Sequence, residues 1–521
     1  MSQIRVDHLT FTYDGSAEPV FEDASFSVDT DWKLGLIGRN GKGKTTFLRL
    51  LTGAYSYQGT IACAVPVSYF PYHLSAAQMQ LPAMEFADAL RPDCEIWRVI
   101  CELAALDENA DLLERPFVTL SHGQRTKILL AILFSGDNDF LLIDEPTNHL
   151  DAPARACVRQ YLSGKQGYIL VSHDRDLLDA CTDHMLVLNR KTIMVQSGNF
   201  TCWQENQQRR DQFAEAENEK HRKQIKKLRQ AAKRTAAWAD QNERTKIGFD
   251  PVKEHDRCIS TRAFIGAKTK KMQSRVKQTE RRIEREIEAK ENLLQDIEQT
   301  AALRMSPLTH HKDILVHLRG CDLQYAGAEK PVCKGLDLSI RQGDRIALHG
   351  ANGCGKSTLM RAILQTAGAV PEDASLQIRG ICETASGLVI SYVPQDASFL
   401  HGSIADFCTA RRLDRSLFCT VLRHLDLSRT QLAKDLSEYS AGQKKKVLLA
   451  ASLLTPAHLY IWDEPLNFID IFSRMQIETL LEEYHPTMLF AEHDIRFREN
   501  AATDEFLLSS GVIRCPLPQS G

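Results

Sequence analysis

The sequence predicts an α/β protein in which two similar phosphate-loop domains are joined by a long antiparallel α-helical hairpin. Three observations predict it. An apolar strand, a Gly-rich loop and a helix follow one another twice; the polar landmarks after each copy recur at a nearly constant offset; and about a hundred residues rich in Gln, Glu, Lys, Arg and Ala lie between the copies. The boundaries read as 1–203 for the first domain, 204–305 for the connector and 306–521 for the second domain. A chain of 521 residues is too long for one core and fits two domains of roughly 200 residues with a connector.

Composition excludes several classes. Hydrophobic residues make up 43% and charged residues 25%, the balance of a globular protein, and no uninterrupted apolar run approaches the ~18 residues of a membrane helix. Residues 1–13 read as a strand rather than a charged-then-apolar signal, so the cytoplasm is the expected location. The 14 cysteines are scattered without a CxxC or Cys/His cluster, the pattern of reduced, packed thiols rather than a metal or disulfide framework.

In the first domain Leu34 to Ile37 forms the apolar strand, Gly38, Arg39, Asn40, Gly41, Lys42, Gly43 and Lys44 form the loop, and Thr45 and Thr46 open a helix to Leu51. The second domain repeats this with Ile346 to Leu348, then Gly350, Ala351, Asn352, Gly353, Cys354, Gly355 and Lys356, then Ser357 and Thr358 opening a helix to Leu364. Successive backbone N–H groups and the positive end of the helix suit such a loop to cradle phosphates. Lys44 and Lys356 reach the outer phosphates, and the hydroxyls of Thr45 and Ser357 are ligands for magnesium. Two buried strands follow, Phe140 to Asp144 and Leu459 to Asp463, each delivering a carboxylate pair. Asp144 and Asp463 are candidate magnesium ligands, and Glu145 and Glu464 are candidate general bases for an attacking water. His173 and His493 follow a further apolar strand in each half, placed to sense a γ-phosphate. The offsets are 312 between Lys44 and Lys356, 319 between Asp144 and Asp463 and 320 between His173 and His493, which is domain duplication.

The connector is the basic part of the chain. Between Arg222 and Arg282 there are 19 Lys or Arg against 6 Asp or Glu, a surplus of 13, so the remainder carries −16 of the net −3. Apolar residues at Ile225, Leu228 and Ala232, then at Val276, Ile283, Ile287, Leu294 and Ile297, suit two helices, and Ile247 to Pro251 and Ile265 to Gly266 break the pattern. The segment therefore reads as a hairpin with a structured tip near 241–266, and helices of roughly 40 residues reach on the order of 60 Å. Such a charge surplus favours a polyanion as partner.

Leu120, Ser121, His122, Gly123 and Gln124, and again Tyr439, Ser440, Ala441, Gly442 and Gln443, lie 23 residues before their acidic pairs. With these segments the chain resembles the ATP-binding cassette superfamily, whose signature motif other phosphate-loop ATPases lack. The resemblance implies two ABC-type nucleotide-binding domains, ATP and Mg2+ as cofactors, and ATP hydrolysis at two composite sites. The first would join Lys44, Asp144, Glu145 and His173 to Ser440 and Gly442, and the second Lys356, Asp463, Glu464 and His493 to Ser121 and Gly123. Gln124 and Gln443 belong to the same signature segments. It further implies that Tyr13 and Tyr325 stack on adenine and that Gln395 contacts magnesium and water. Two fused cassettes with a helical connector resemble the ABC-F class, and segments such as 442–447, 458–470 and 472–478 are similar to the Lsa and Vga-type antibiotic-resistance factors. That resemblance implies a monomer that binds the bacterial ribosome at the exit-tRNA site in an ATP-bound closed state. The connector would approach large-subunit rRNA and P-site tRNA, with Phe249 or Phe264 able to stack on a base. Translation would be protected from lincosamides, pleuromutilins and streptogramin A, and hydrolysis would release the protein. A housekeeping factor for stalled ribosomes, the ATPase subunit of a membrane transporter and a DNA-repair ATPase are the alternatives. The sequence departs from the family where Tyr72 stands at the position Gln395 holds in the second half, where His122 and Ala441 replace a signature glycine, and where Leu466, Asn467 and Phe468 replace the Thr147, Asn148 and His149 triplet; the two sites are expected to be unequal.

Overall fold

The structure is a computed structural model. It describes the chain apart from residues 1, 15–18, 93, 138, 149, 189–192, 245–281, 283–303, 329, 352, 372–374, 426, 468, 510–511 and 515–521. The chain divides into two compact units, one made of Met1–Trp203 with Ala301–Gly521, the other of Gln204–Thr300.

Each half of the larger unit builds two sheets. In the first half β1 (Gln3–Phe11) alternates buried Ile4, Val6, Leu9 and Phe11 with exposed polar residues, the pattern of a strand with one face on the core. It pairs antiparallel with β2 (Phe21–Asp29) and β4 (Gln58–Cys63), in the order β2-β1-β4. The second sheet is β5-β6-β7-β3-β8-β9, from β3 (Lys33–Gly38), β5 (Val67–Phe70), β6 (Phe140–Asp144), β7 (Tyr168–Val171), β8 (His184–Leu188) and β9 (Ile193–Ser197). Its strands are parallel except for β9, and the central ones are continuous apolar runs because both faces are covered.

The second half repeats the plan. β11 (Cys333–Arg341), β10 (Ile314–Tyr325) and β13 (Leu376–Thr384) form the antiparallel sheet. β14 (Ile390–Val393), β15 (Leu459–Asp463), β16 (Met488–Ala491), β12 (Arg345–His349), β17 (Asp504–Ser509) and β18 (Val512–Arg514) form the other, in that order.

The phosphate-loop helices Lys44–Leu51 and Lys356–Thr366 are clamped between the sheets of their own half. Phe47 and Leu48 pack on Leu34, Leu36, Leu142 and Ile169, and Leu359 and Ile363 on Leu348, Ile461 and Leu489. A helical lobe around Phe86, Leu103, Phe117 and Ile128 caps the first half, and Ile471 of the second half joins that same cluster. The two halves thus share apolar core. Strands β3, β6 and β7 are neighbours, so the loop after β3, the carboxylates after β6 and His173 after β7 all emerge at the carboxyl edge of one parallel sheet, the edge where open α/β sheets bind ligands.

Of the smaller unit, the structure describes a helix, Phe200–Arg244, of 45 residues that begins in the larger unit, a length of about 65 Å at the rise of an α-helix. The tip beyond Arg244, with Phe249 and Phe264, and the return helix apart from Arg282 lie outside the described residues, as does Asn352. Among the described residues no helix is long and apolar enough to cross a membrane, and no group of three or more His, Cys, Asp or Glu could hold a metal ion.

Candidate nucleotide sites

The two loops have the same local build. Gly43 and Gly355 cap their helices with φ of 94° and 101°, the left-handed region, and a Cβ on them would lie 2.6 Å from Val20 and 2.5 Å from the Cys333 sulfur. Only glycine fits there. Lys44 Nζ donates to Gly38 O at 2.6 Å and Asn40 Oδ1 at 3.1 Å, and Lys356 Nζ to Gly350 O at 2.8 Å and Ala351 O at 3.3 Å. Both ammonium groups therefore fold over their own loop, where a phosphate would compete for them, and burial lowers the pKa of Lys44. The loops are closed by Lys42 N donating to Arg39 O and Cys354 N to Ala351 O, both at 3.3 Å, while Gly41 and Gly353 share φ of 79°. Tyr13 and Tyr325 direct their hydroxyls at the buried Thr46 and Thr358, at 2.6 and 3.4 Å. The Arg39 guanidinium lies 5.9 Å from the Phe472 ring of the other half.

The acidic residues stand where the strands deliver them. Thr45 Oγ1 and the Tyr69 hydroxyl donate to Asp144 Oδ2 at 2.9 and 3.1 Å; Ser357 bonds Asp463, whose Oδ1 is buried with no partner. Burial pushes both aspartates up. Glu145 and Glu464 adopt φ of 52° and 47°, which costs a residue with a Cβ about 1–2 kcal/mol. The neighbouring strand end enforces it: Glu145 N donates to Val171 O at 2.8 Å and Glu464 N to Ala491 O at 3.0 Å. Each glutamate then meets the histidine of its own half, Nε2 of His173 lying 3.2 Å from Glu145 Oε1 and that of His493 3.3 Å from Glu464 Oε1.

Beyond this backbone symmetry the electrostatics diverge. Burial, reinforced by the charge of Asp144, pushes Glu145 up to about 8, and its Oε1 is buried without a hydrogen bond because the His173 contact lacks the alignment for one. Burial also drives His173 well below its ordinary value, with Lys44 and Arg474 adding to it. Glu464 is also buried, yet His493, a 2.8 Å bond from Gln395 Nε2 and Lys356 hold it down to about 2, and Asn467 Nδ2 donates to it at 2.7 Å. In the first half Tyr72 does not take the place of Gln395. It packs on the helical lobe and bonds Arg91.

The signature serines cap helices. Ser121 and Ser440 are the N-caps of His122–Phe134 and Ala441–Leu454, in capping boxes with Gln124 and Gln443. Their oxygens accept from Gln124 N at 3.2 Å and Gln443 N at 3.3 Å, and the glutamine side chains are engaged in return by Ser121 N and Ser440 N. Each hydroxyl proton stays available at a helix N-terminus, the place an anion prefers. A cavity of about 520 Å³ brings Asn40, Gly41, Glu145 and His173 of the first half together with Ser440, Ala441, Gly442 and Gln443 of the second. A second, of about 470 Å³, is lined by Tyr325, Gly353 to Thr358, Gln395, Glu464 and His493, with His122 of the first half opposite. Ser121 and Gly123 flank that histidine.

Four residues were not assigned to the sites from the sequence. Asn148 and Asn467, named there only as members of the triplets after the glutamates, stand three residues after Glu145 and Glu464 and line the two cavities. Lys446 lines the first cavity and bonds Asp470 Oδ2 at 2.8 Å; in a run of three lysines nothing singled it out. Arg474 donates across the halves to the His173 carbonyl at 3.1 Å, a pairing 301 residues apart that carries no sequence signal.

The chain matches the family described as ABC transporter at residues 21–148 and 333–467. It is 28% identical to the "Ribosome protection protein VmlR" of Bacillus subtilis, covering 96% of this chain and 86% of that protein. It is 26% identical to the "Erythromycin resistance ATP-binding protein MsrA" of Staphylococcus epidermidis, covering 92% of this chain and 93% of that one. Among solved structures, the complex of archaeal ribosomal stalk protein aP1 and ribosome recycling factor aABCE1 superposes with a TM-score of 0.57 at 16% identity, over 96% of this chain and 87% of that one. At that identity the likeness is one of fold.

Proposed function

Because this chain belongs to the ATP-binding cassette family, in its ABC-F class, and is an ATPase, we propose that it is a ribosome-protection factor. It binds the bacterial ribosome with ATP in both cavities, at the exit-tRNA site, and lets go on hydrolysis. One observation carries this reading: similarity to a protein named for ribosome protection runs over 96% of the chain, connector included, and that connector holds the surplus of 13 positive charges. Such a helical arm suits rRNA phosphates, through which polyanion affinity is delivered. The classes protected are those the family resemblance implies, lincosamides, pleuromutilins and streptogramin A, and the protein acts in the cytoplasm as a monomer, one chain supplying both halves of each site.

In the proposed chemistry Lys44 and Lys356 leave their loop carbonyls for the outer phosphates. Glu145 and Glu464 orient the attacking water, and His173 and His493 face the γ-phosphate. Ser440 with Gly442, and Ser121 with Gly123, close the cavities from the opposite half. Magnesium fits the oxygen set of this chain, since Thr45 with Asp144 and Ser357 with Asp463 are hard donors and Asp463 Oδ1 is buried with no partner. Gln395 would add its amide oxygen in the second cavity only. When bound, the ion neutralises charge developing on the transferred phosphoryl group.

The test is the double variant Glu145→Gln with Glu464→Gln, which keeps nucleotide but cannot turn it over. ATP-dependent co-sedimentation with bacterial ribosomes at moderate salt is expected. Nucleotide binding without co-sedimentation would sink the proposal. Unchanged drug susceptibility in cells expressing the wild-type protein would turn it into a housekeeping factor for stalled ribosomes.

A further inference from the structure

Arg474 lies on the helix Ile471–Tyr484 of the second half, and its guanidinium is buried. Three of its bonds stay in that half: Nε to Ile469 O at 3.0 Å, Nη2 to Leu466 O at 3.0 Å and Nη1 to Asp494 Oδ2 at 2.9 Å. The second proton of Nη1 crosses to the first half and is given to the backbone carbonyl of His173 at 3.1 Å. The planar fork is thus fixed by its own domain and presents one donor to the other. Asp494, which holds it, directly follows His493, so one guanidinium spans the two switch histidines through a carboxylate on one side and a carbonyl on the other.

The opposite interface lacks this bridge. Arg155 stands at the equivalent position, offset 319, and makes the equivalent local bond, Nε to Leu150 O at 2.9 Å, but it is 3.9 Å from Asp174 and among the described residues makes no bond to His493. Next to the bridge Arg175 is paired with Glu478 of the other half by two hydrogen bonds, whereas Ile495 and Arg159 occupy the equivalent positions. The asymmetry therefore involves side-chain identity as well as geometry.

We infer that Arg474 is a positioning residue for the first ATP site, holding the His173 segment in trans so that histidine and Glu145 keep their places opposite the second half's signature. The inference rests on the assignment of Glu145 and His173 to that site. A fork that serves four acceptors is not replaced by an ammonium, so lysine at this position keeps the charge and loses the bridge.

The test reads each site alone. In a Glu464→Gln background only the first site turns over, and in a Glu145→Gln background only the second. Arg474→Met is expected to lower kcat of the first site about tenfold or more, with KM for ATP changed less than about threefold, while the second site falls less than about threefold; that split is the kinetic mark of lost transition-state positioning. Arg474→Lys should behave like Arg474→Met. Equal losses at both sites, a loss confined to KM, or full rescue by lysine would each overturn the inference. Should Arg474→Met lose its cooperative unfolding transition, Arg474→Gln, which keeps a planar donor, is read by the same ratios. Residual turnover in the double variant Glu145→Gln with Glu464→Gln would instead strike the assignment of Glu145.

Discussion

Glu145 and Glu464 are the same residue type in the same strained backbone, and their surroundings give them opposite thermodynamic signs. Glu145 is pushed up to about 8 in the folded chain by burial, against an ordinary value of 4.5. The folded state therefore pays nothing for it below about pH 4.5, a growing cost from there to about pH 8, and the full cost above. Removing the charge with Glu145→Gln should stabilise the protein at pH 8 by on the order of 1–3 kcal/mol, and the gain should vanish near pH 4.5. Glu464, held down to about 2 by His493, Gln395 and Lys356 against its burial, contributes stability that is complete above about pH 4.5 and fades as pH falls through about 2. Glu464→Gln should therefore destabilise by on the order of 1–3 kcal/mol at pH 7. Denaturant unfolding in EDTA without nucleotide checks both; shifts of the same sign would contradict the assignment of their environments. The sequence showed the inequality at Tyr72 for glutamine, at His122 against Ala441 and in the Leu466 to Phe468 triplet. It could not show the sign, because that depends on where the Tyr72 ring packs and on which side chains turn toward each carboxylate.

At the scale of elements, the strands and loop helices were legible because each is a continuous apolar run or a glycine-punctuated turn that admits one reading. Leu34 to Ile37, Phe140 to Asp144 and their repeats are of this kind. The helices of the lobe, such as Ala83–Leu90 and Ile96–Ala105, are of 8 and 10 residues and carry weaker patterns, so tertiary packing around Phe86 and Leu103 decides them. The signature helices make the sharpest element-scale prediction. Ser440→Ala should cost about 1 kcal/mol of stability through the lost cap, and Ser121→Ala about the same. Their kinetic effects should separate: Ser440→Ala lowers turnover of the first site, read with Glu464→Gln, and Ser121→Ala that of the second, read with Glu145→Gln. A loss at the site of the same half would contradict the pairing. Gly43→Ala should abolish ATP binding at the first site, since the left-handed cap and Val20 leave no room for a methyl group; isothermal titration in the Lys356→Ala background checks it.

In the larger unit, the halves meet through charge on one side more than on the other. Arg175 is paired with Glu478, and Arg496 donates to Asp176 at 2.7 Å and to Asp179, all between halves. The first pair is buried, so removing one partner should cost on the order of 3–5 kcal/mol, whereas Arg175→Met combined with Glu478→Met should cost far less, because no unpaired charge remains. Unfolding of the two single variants and the double closes this cycle, and equal costs for single and double would contradict burial of the pair. Duplication was legible from the offsets of 312 to 320. The resemblance implied that each loop faces the other half's signature segment, but the ion pairs between the halves were not legible, since contacts such as Arg175 to Glu478 span 303 residues and depend on a difference, arginine against isoleucine at 495, that looks neutral in either half alone.

The crossed construction of the cavities has a genetic consequence. If the proposed sites hold, a lesion at Ser440 or Gly442 would leave the loop, carboxylates and histidine of its own half intact and disable the reaction of the other. Mutations would then fall into two phenotypic classes that do not follow the order of the residues, each class pairing positions in the first half with positions in the second. A stop codon between residues 306 and 439 would leave the first half whole and neither proposed site complete.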